Sequence, residues 1–172
     1  PVEAPVARPH PVLRGDSIQA VLRRNASGIS AKSLRVDGNV QVTHNLENAG
    51  KTMPVQLSAD RMRLLDGAGD DVLELTSSPE NPARFDIGDG FFIGRTINVR
   101  PSENIIWIPE AGEFQIPTDI LPTGIANASQ PETIKWTHPP YCRWQGEMMF
   151  DGHTIVLSDG VDITAAMLNG RE

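Results

Sequence analysis

"CRWQGEMMFDGHTIVLSDGVDI", residues 142–163, is the stretch from which the fold class is read. Trp144, Gly146, Met148 and Phe150 share one parity, and Arg143, Gln145 and Glu147 take the other. Beyond a turn at Asp151-Gly152 the pattern resumes in Ile155, Leu157, Val161 and Ile163. Successive side chains leave a β-strand on opposite faces, so a period of two with one apolar side marks a half-buried antiparallel strand. The segment reads as serial hairpins of a sheet with one face turned inward.

The same alternation recurs on both sides of it. It predicts strands over 17–24, 33–44, 55–65, 71–76, 83–87, 90–99, 104–109, 113–117, 134–137, 143–150, 154–158 and 161–168. The breaks are "VDGN" (36–39), "LDGAGDD" (65–71), "DIGDG" (86–90), "RPSEN" (100–104), "PEAG" (109–112) and "FDG" (150–152), all of hairpin or β-turn composition. Val55, Leu57 and Ala59 alternate, and Met62 and Leu64 resume after a one-residue offset, as a β-bulge in a bent strand would give. "LSADRMRLL" (57–65) contains good helix formers, but its alternation argues for a strand; "TAAMLNGRE" (164–172) reads as ending in a short turn. The expectation is an all-β antiparallel fold.

At 172 residues the chain has enough length for one domain with a real core. "PVEAPVARPHP" (1–11) carries four prolines and reads as an extended arm or linker, and 117–132 is too Pro-rich for a helix and reads as an inserted surface loop. Residues 12–172 are taken as a single β-domain. The start at Pro1 is expected to reflect a piece of a longer protein.

Composition excludes several functions. The apolar fraction is 39% and the charged fraction 22%, values of a folded domain. No apolar run approaches the roughly 18 residues of a membrane-spanning helix. A net charge of −7, with scattered basic residues, argues against nucleic acid as a partner. Cys142 is the single cysteine, so the fold does not rest on an intrachain disulfide.

Catalytic vocabulary is sparse. His138 and Cys142 in "HPPYC" have the types of a base and a nucleophile, or of two metal ligands. The two prolines between them are expected to set an extended turn, and no second pair completes a zinc set. His10, His44 and His153 are isolated in sequence. The carboxylates of "DGAGDD" (66–71) and "DIGDG" lack the spacing of a calcium loop and read as turn formers. "NAS" occurs at Asn25 and Asn127, a triplet that chance often produces. No phosphate-loop, dinucleotide or nucleophile-elbow fingerprint is present. No enzymatic activity, cofactor or metal is expected.

"SLRVDGNVQVTHN" (33–45) followed by "VQLSADRMRLL" (55–65) resembles the OstA-like repeats of the LptA-type lipopolysaccharide-transport family. There a Gly-x-Val-x-Val strand leads to a second strand carrying Ala-Asp. "LELTSSPENPARFDIGDGFFIGRTINVRPSENIIWIPEAGEF" (73–114) looks like the succeeding part of that pattern, and "WQGEMMFDGHTIVLSDGVDITAAML" (144–168) like the start of another copy. The resemblance covers roughly residues 12–170, interrupted by the 117–132 loop. It implies a β-jelly-roll opened along one side into a V, with an apolar inner face that holds lipid acyl chains. It also implies open edges where copies or related envelope proteins dock, a periplasmic or envelope location, and no catalysis.

Parity assigns the groove candidates: Val40, Val42, Leu57, Met62, Leu64, Ile97, Val99, Ile106, Ile108, Trp144, Met148, Phe150, Ile155 and Leu157. Val55, Ala59, Val161 and Ile163 share that inward parity. In a closed sandwich these would be core; in an open V they would line a groove, and periodicity alone does not separate the two. About a dozen methylenes buried at ~0.8 kcal/mol each give roughly 9 kcal/mol before ordering costs, so an apolar groove holds lipid without a polar motif. Two alternatives stand beside the lipid module: a purely structural or interaction β-domain, and a carbohydrate-binding module using Trp107, Trp136 and Trp144 as stacking platforms.

Overall fold

Residues 10–25, 28–48, 51–65, 71–116 and 135–168 are described by a computed structural model. Most of the proline-rich arm, the 117–132 loop, the Asn127 triplet and most of the 66–71 turn lie outside them. The strands are β1 Val12–Arg14, β2 Ser17–Asn25, β3 Gly28–Asn48, β4 Lys51–Leu65, β5 Val72–Thr76, β6 Ala83–Ile87 and β7 Gly90–Gly94. They continue with β8 Thr96–Arg100, β9 Ile105–Ile108, β10 Gly112–Gln115, β11 Lys135–Trp144, β12 Met148–Phe150, β13 Ile155–Leu157 and β14 Asp162–Leu168. All pairings are antiparallel, and the described strands form one continuous sheet.

That sheet folds on itself because β3 and β4 are long and change partners midway. Arg61–Leu65 of β4 pairs with β5, whereas Val55–Ser58 pairs with β6. β3 does the same on its other side, pairing with β2 over Gly28–Asp37 and with β1 over Gln41–Thr43. Between Asp37 and Val40 the β3–β4 register shifts, with Gly38 at φ 76° and Asn39 at φ 47°. The left-handed pair bends both strands at one place. One limb of the sheet is then β2, the first half of β3, the second half of β4, β5, β8, β9, β12 and β13. The other is β1, the remaining halves, β6, β7, β10, β11 and β14.

Every later connection between limbs crosses the same fold line, and neighbouring crossings are stitched together. Asp16 N–H donates to Gly38 O (2.9 Å), and Asn39 Nδ2 to Asp16 (3.0 Å). Asp60 N–H donates to Ser77 Oγ (2.8 Å) while its carboxylate accepts from Ser78 N–H (2.9 Å). Ser77 N–H reaches Arg95 O (2.9 Å), Thr96 Oγ1 reaches Glu110 (3.1 Å), and Trp144 Nε1 reaches Glu110 O (2.9 Å). Gln145 N–H donates to Asp159 O (2.8 Å) and closes the series.

Inside the fold line the two limbs approach closely. Ala83, Gly94, Gly112 and Trp144 form one cross-strand row, three small residues and one large. A Cβ on Gly112 would lie 2.6 Å from Trp144 Cζ2 and 2.5 Å from Ile93 O, and one on Gly94 would lie 2.6 Å from Ile108 Cγ2. The indole and Ile108 occupy the space that the glycines leave. The outer face carries ion pairs: Asp37 binds Arg35 two residues back on β3 (2.6 Å) and Arg61 across the ladder on β4 (2.7 Å), and Arg84 binds Asp86 along β6 (2.7 Å).

The structure departs from the sequence expectations in specific places. "VDGN" is the bulge inside β3 and not a hairpin turn. The expected strands 90–99 and 143–150 are each cut by the fold line, at Arg95 and at 145–147. "HPPYC" lies within β11, whose pairing with β14 shifts between His138 and Tyr141; prolines interrupt a ladder there without ending the strand. The strand expected over 161–168 is β14, the end of the chain where a short turn is expected lies outside the described residues, and Val12–Arg14 forms an additional strand.

Two predictions follow from this frame. Gly112→Ala forces a methyl onto a backbone oxygen and lowers unfolding free energy by about 1–3 kcal/mol in urea titrations. Asp37 is held at a pKa of about 2 against an ordinary 3.8, chiefly by its hydrogen bonds from Arg35 and then Arg61. A depressed carboxyl contributes stability above its unfolded pKa and loses it as pH falls toward its folded one. Asp37→Asn should therefore flatten the loss of stability between about pH 4 and pH 2, read by thermal unfolding across that range.

Candidate apolar trough

The inner face of the folded sheet is built from cross-strand rows of apolar side chains. On the first limb the deeper row is Ile18, Val36, Met62, Leu75 and Ile97, continued by Ile108, Met148 and Leu157. The outer row is Ala20, Leu34, Leu64, Leu73, Val99, Ile106, Phe150 and Ile155. The second limb answers with Leu13, Val42, Leu57, Phe85, Phe92, Phe114, Cys142 and Ile163. Directly opposed residues share a face, so each row is one continuous strip of hydrocarbon.

Burial falls with distance from the fold line. Val36, Leu75, Ile97, Ile108 and Met148 are completely buried, whereas Leu34, Leu73, Val99 and Phe150, one step outward, are half-buried. On the second limb Val40 is buried and Val42 is not, and the order Leu57 then Val55 repeats the gradient. The limbs still touch one step outward, where Phe150 stacks on Phe92 at 6.5 Å. Phe92 also meets Phe85 at 6.0 Å and Phe114 at 5.8 Å, and Phe114 meets Trp144 at 5.8 Å. The interior is therefore a wedge: dry and packed at the fold line, opening toward a rim.

The fourteen groove candidates divide along that gradient except Ile106, buried although in the outer row, and Leu157, half-buried although in the deeper one. Val40, Leu57, Met62, Ile97, Ile106, Ile108, Trp144 and Met148 are buried core. Val42, Leu64, Val99, Phe150 and Ile155 are half-buried toward the rim, and Leu157 is half-buried on the edge strand β13. Sequence reading passed over Leu34, Leu73, Phe85, Ile87, Phe92, Phe114 and Ile116. In "GFFIG" (90–94) consecutive apolar residues hide the alternation, so no parity marks Phe92 as the inward one.

Val161 and Ile163, which share the inward parity, are 44% and 62% exposed. Ile163 does share the inner row with Cys142, but β14 has no partner on its far side among the described residues. Ile18 shows the same at the opposite edge, inward by its pairing with Val36 yet 51% exposed on β2. The inner apolar strips thus run from edge to edge, and each ends uncovered on one side, at Ile18 on the first limb and Ile163 on the second, while Leu157 and Leu13 at their other ends are half-buried.

Among the described residues the other candidate groups lie apart. Cys142 is buried inside the wedge, and burial, then the charge of Asp162, pushes its thiol pKa up, away from the thiolate. His138 is exposed, and no three His, Cys, Asp or Glu side chains converge among the described residues. On the outer face Tyr141 donates to Glu113 and accepts from Arg143 Nε (2.6 Å). Burial, then the Glu113 bond, raises the phenol pKa and keeps it protonated. Trp144 is buried and cannot stack a sugar, while Trp107 faces outward at 39% exposure.

No family model matches the chain, and no curated protein matches it in sequence. Among solved structures the chain is similar to LptH from Pseudomonas aeruginosa, described as the LptA-homologous periplasmic component of the conserved lipopolysaccharide transport device. The TM-score is 0.52 with 12% sequence identity, over 90% of this chain and 94% of that one. The likeness establishes an LptA-like β-jelly-roll fold.

The burial gradient predicts two classes of truncation. Leu75→Ala, at full burial, should cost about 2–5 kcal/mol in urea unfolding, and Leu73→Ala, next outward on the same strand, less than half as much.

Proposed function

We propose that this chain is a non-catalytic β-module of the cell envelope that shelters the acyl portion of a lipopolysaccharide-like amphiphile and joins neighbours edge to edge. The observation that carries this reading is the pair of uncovered ends of the inner apolar rows, Ile18 on β2 and Ile163 on β14. A monomer that used its interior only as a core would gain by capping them with polar residues. Left open, the strips present a hydrocarbon surface continuous with whatever pairs with the edge, and each edge offers unpaired N–H and C=O groups for strand addition. The fold shared with the periplasmic LptH supports the envelope location and the lipid class.

The half-buried rim supplies the lipid-facing surface. Leu64, Val99, Phe150 and Ile155 lie in one outer row, about the width over which an acyl chain contacts several strands. A second reading, a dry structural domain, is favoured by the Phe92–Phe150 contact across the limbs. The two differ in whether the wedge admits a ligand.

Native mass spectrometry of the chain with lipid A or phospholipid separates them. The lipid reading expects discrete adducts that vanish in Val99→Glu while its circular dichroism is unchanged; no adduct with either lipid overturns it. For the edges, Ile18→Lys or Ile163→Glu should reduce concentration-dependent association in sedimentation velocity, and self-association unaffected by both would leave the edges without that role.

A further inference from the structure

Among the described residues one polar side chain interrupts the hydrocarbon of the second limb. His44 follows Val40 and Val42 along the inner face of β3, each step farther from the fold line, and pairs with Val55. Its row continues through Val55 to Ile87 and Gly90, with no hydrogen-bonding side chain in it. The imidazole is half-buried, and its Nδ1 is shielded from solvent without a hydrogen-bond partner.

A ring nitrogen removed from water and left unpaired costs free energy, and a purely structural position of this kind is better filled by leucine or valine. Each imidazole nitrogen either donates or accepts, depending on the tautomer, so Nδ1 can meet a hydroxyl, an amide or an ester carbonyl. We infer that His44 is the polar anchor of the trough: its Nδ1 hydrogen-bonds a polar group placed next to the acyl chain of the bound amphiphile. The chain of that amphiphile runs inward toward Val42 and Leu57, and its first polar atoms stop at the depth of His44. The ligand class is thereby narrowed to acylated amphiphiles with a hydroxyl, ester or amide beside the chain, as against plain hydrocarbon. This inference rests on the proposed trough reading.

The test uses monododecanoyl glycerol as probe, its binding measured by isothermal titration calorimetry to wild type, His44→Leu, His44→Gln and Val99→Glu. His44→Leu should weaken binding roughly 5- to 30-fold, the value of one buried hydrogen bond. His44→Gln, which keeps a donor and an acceptor, should stay within about 3-fold of wild type. His44→Leu should also equal or exceed wild type in urea stability, since it removes an unpaired group. The ¹⁵N resonance of Nδ1 in labelled wild type should move on adding the probe. Binding unchanged in His44→Leu but lost in Val99→Glu would overturn the anchor and leave the trough. A less stable or unfolded His44→Leu would overturn it by making the imidazole a structural group. No binding by wild type would overturn the trough reading itself.

Discussion

The whole architecture depends on a single bend, where β3 and β4 turn together at Gly38-Asn39 and Asp60. A flat antiparallel sheet of this width would expose one apolar face along its length, which water does not tolerate. Folding the sheet across its strands lets that face close on itself. The bend needs a left-handed residue pair in one strand and a partner switch in the other, and it fixes where every later strand must cross. The hydrogen bonds from Asp16 through Asp60, Ser77, Glu110 and Gln145 hold those crossings in line. They satisfy backbone and side-chain groups that the ladders cannot reach at a corner.

From that line the energetics of the interior follow. Close to it the limbs are near enough for Gly94 and Gly112 to matter, and large side chains interdigitate over them. Farther out the limbs diverge, and the same residue types lose their partners across the gap. Stability and binding are thus carried by different parts of one surface: the buried rows near the fold line hold the protein together, and the half-buried rows are left for a ligand. A wedge lets a protein keep an apolar surface available without surrendering its core.

The outside is organised by charge. Asp37 bridges two arginines beside the bend, Arg84 and Asp86 pair along β6, and Arg143 and Glu113 pair across neighbouring strands. Exposed pairs of this kind contribute little stability individually, but they keep the outer face polar and so decide which side of each strand turns inward. His44 is the exception on the inner side, and it stands where the wedge has begun to open.

Alternation alone determined that the chain is all-β, which segments are strands and which parity of most of them faces inward, because side-chain direction in a strand is a local property. It also located the offset between Ala59 and Met62 that became the bend in β4. It could not see the fold line elsewhere: Cys142, Trp144, Met148 and Phe150 keep one parity through a corner because both limbs face the same interior. Nor could it tell Leu75 from Leu73, or Ile163 from Ile97. Burial depends on how far a residue lies from the fold line and from the sheet's edge, distances set by strands remote in sequence. Which residues share a strip was local information; which of them remain open to a ligand was decided only when the sheet closed on itself.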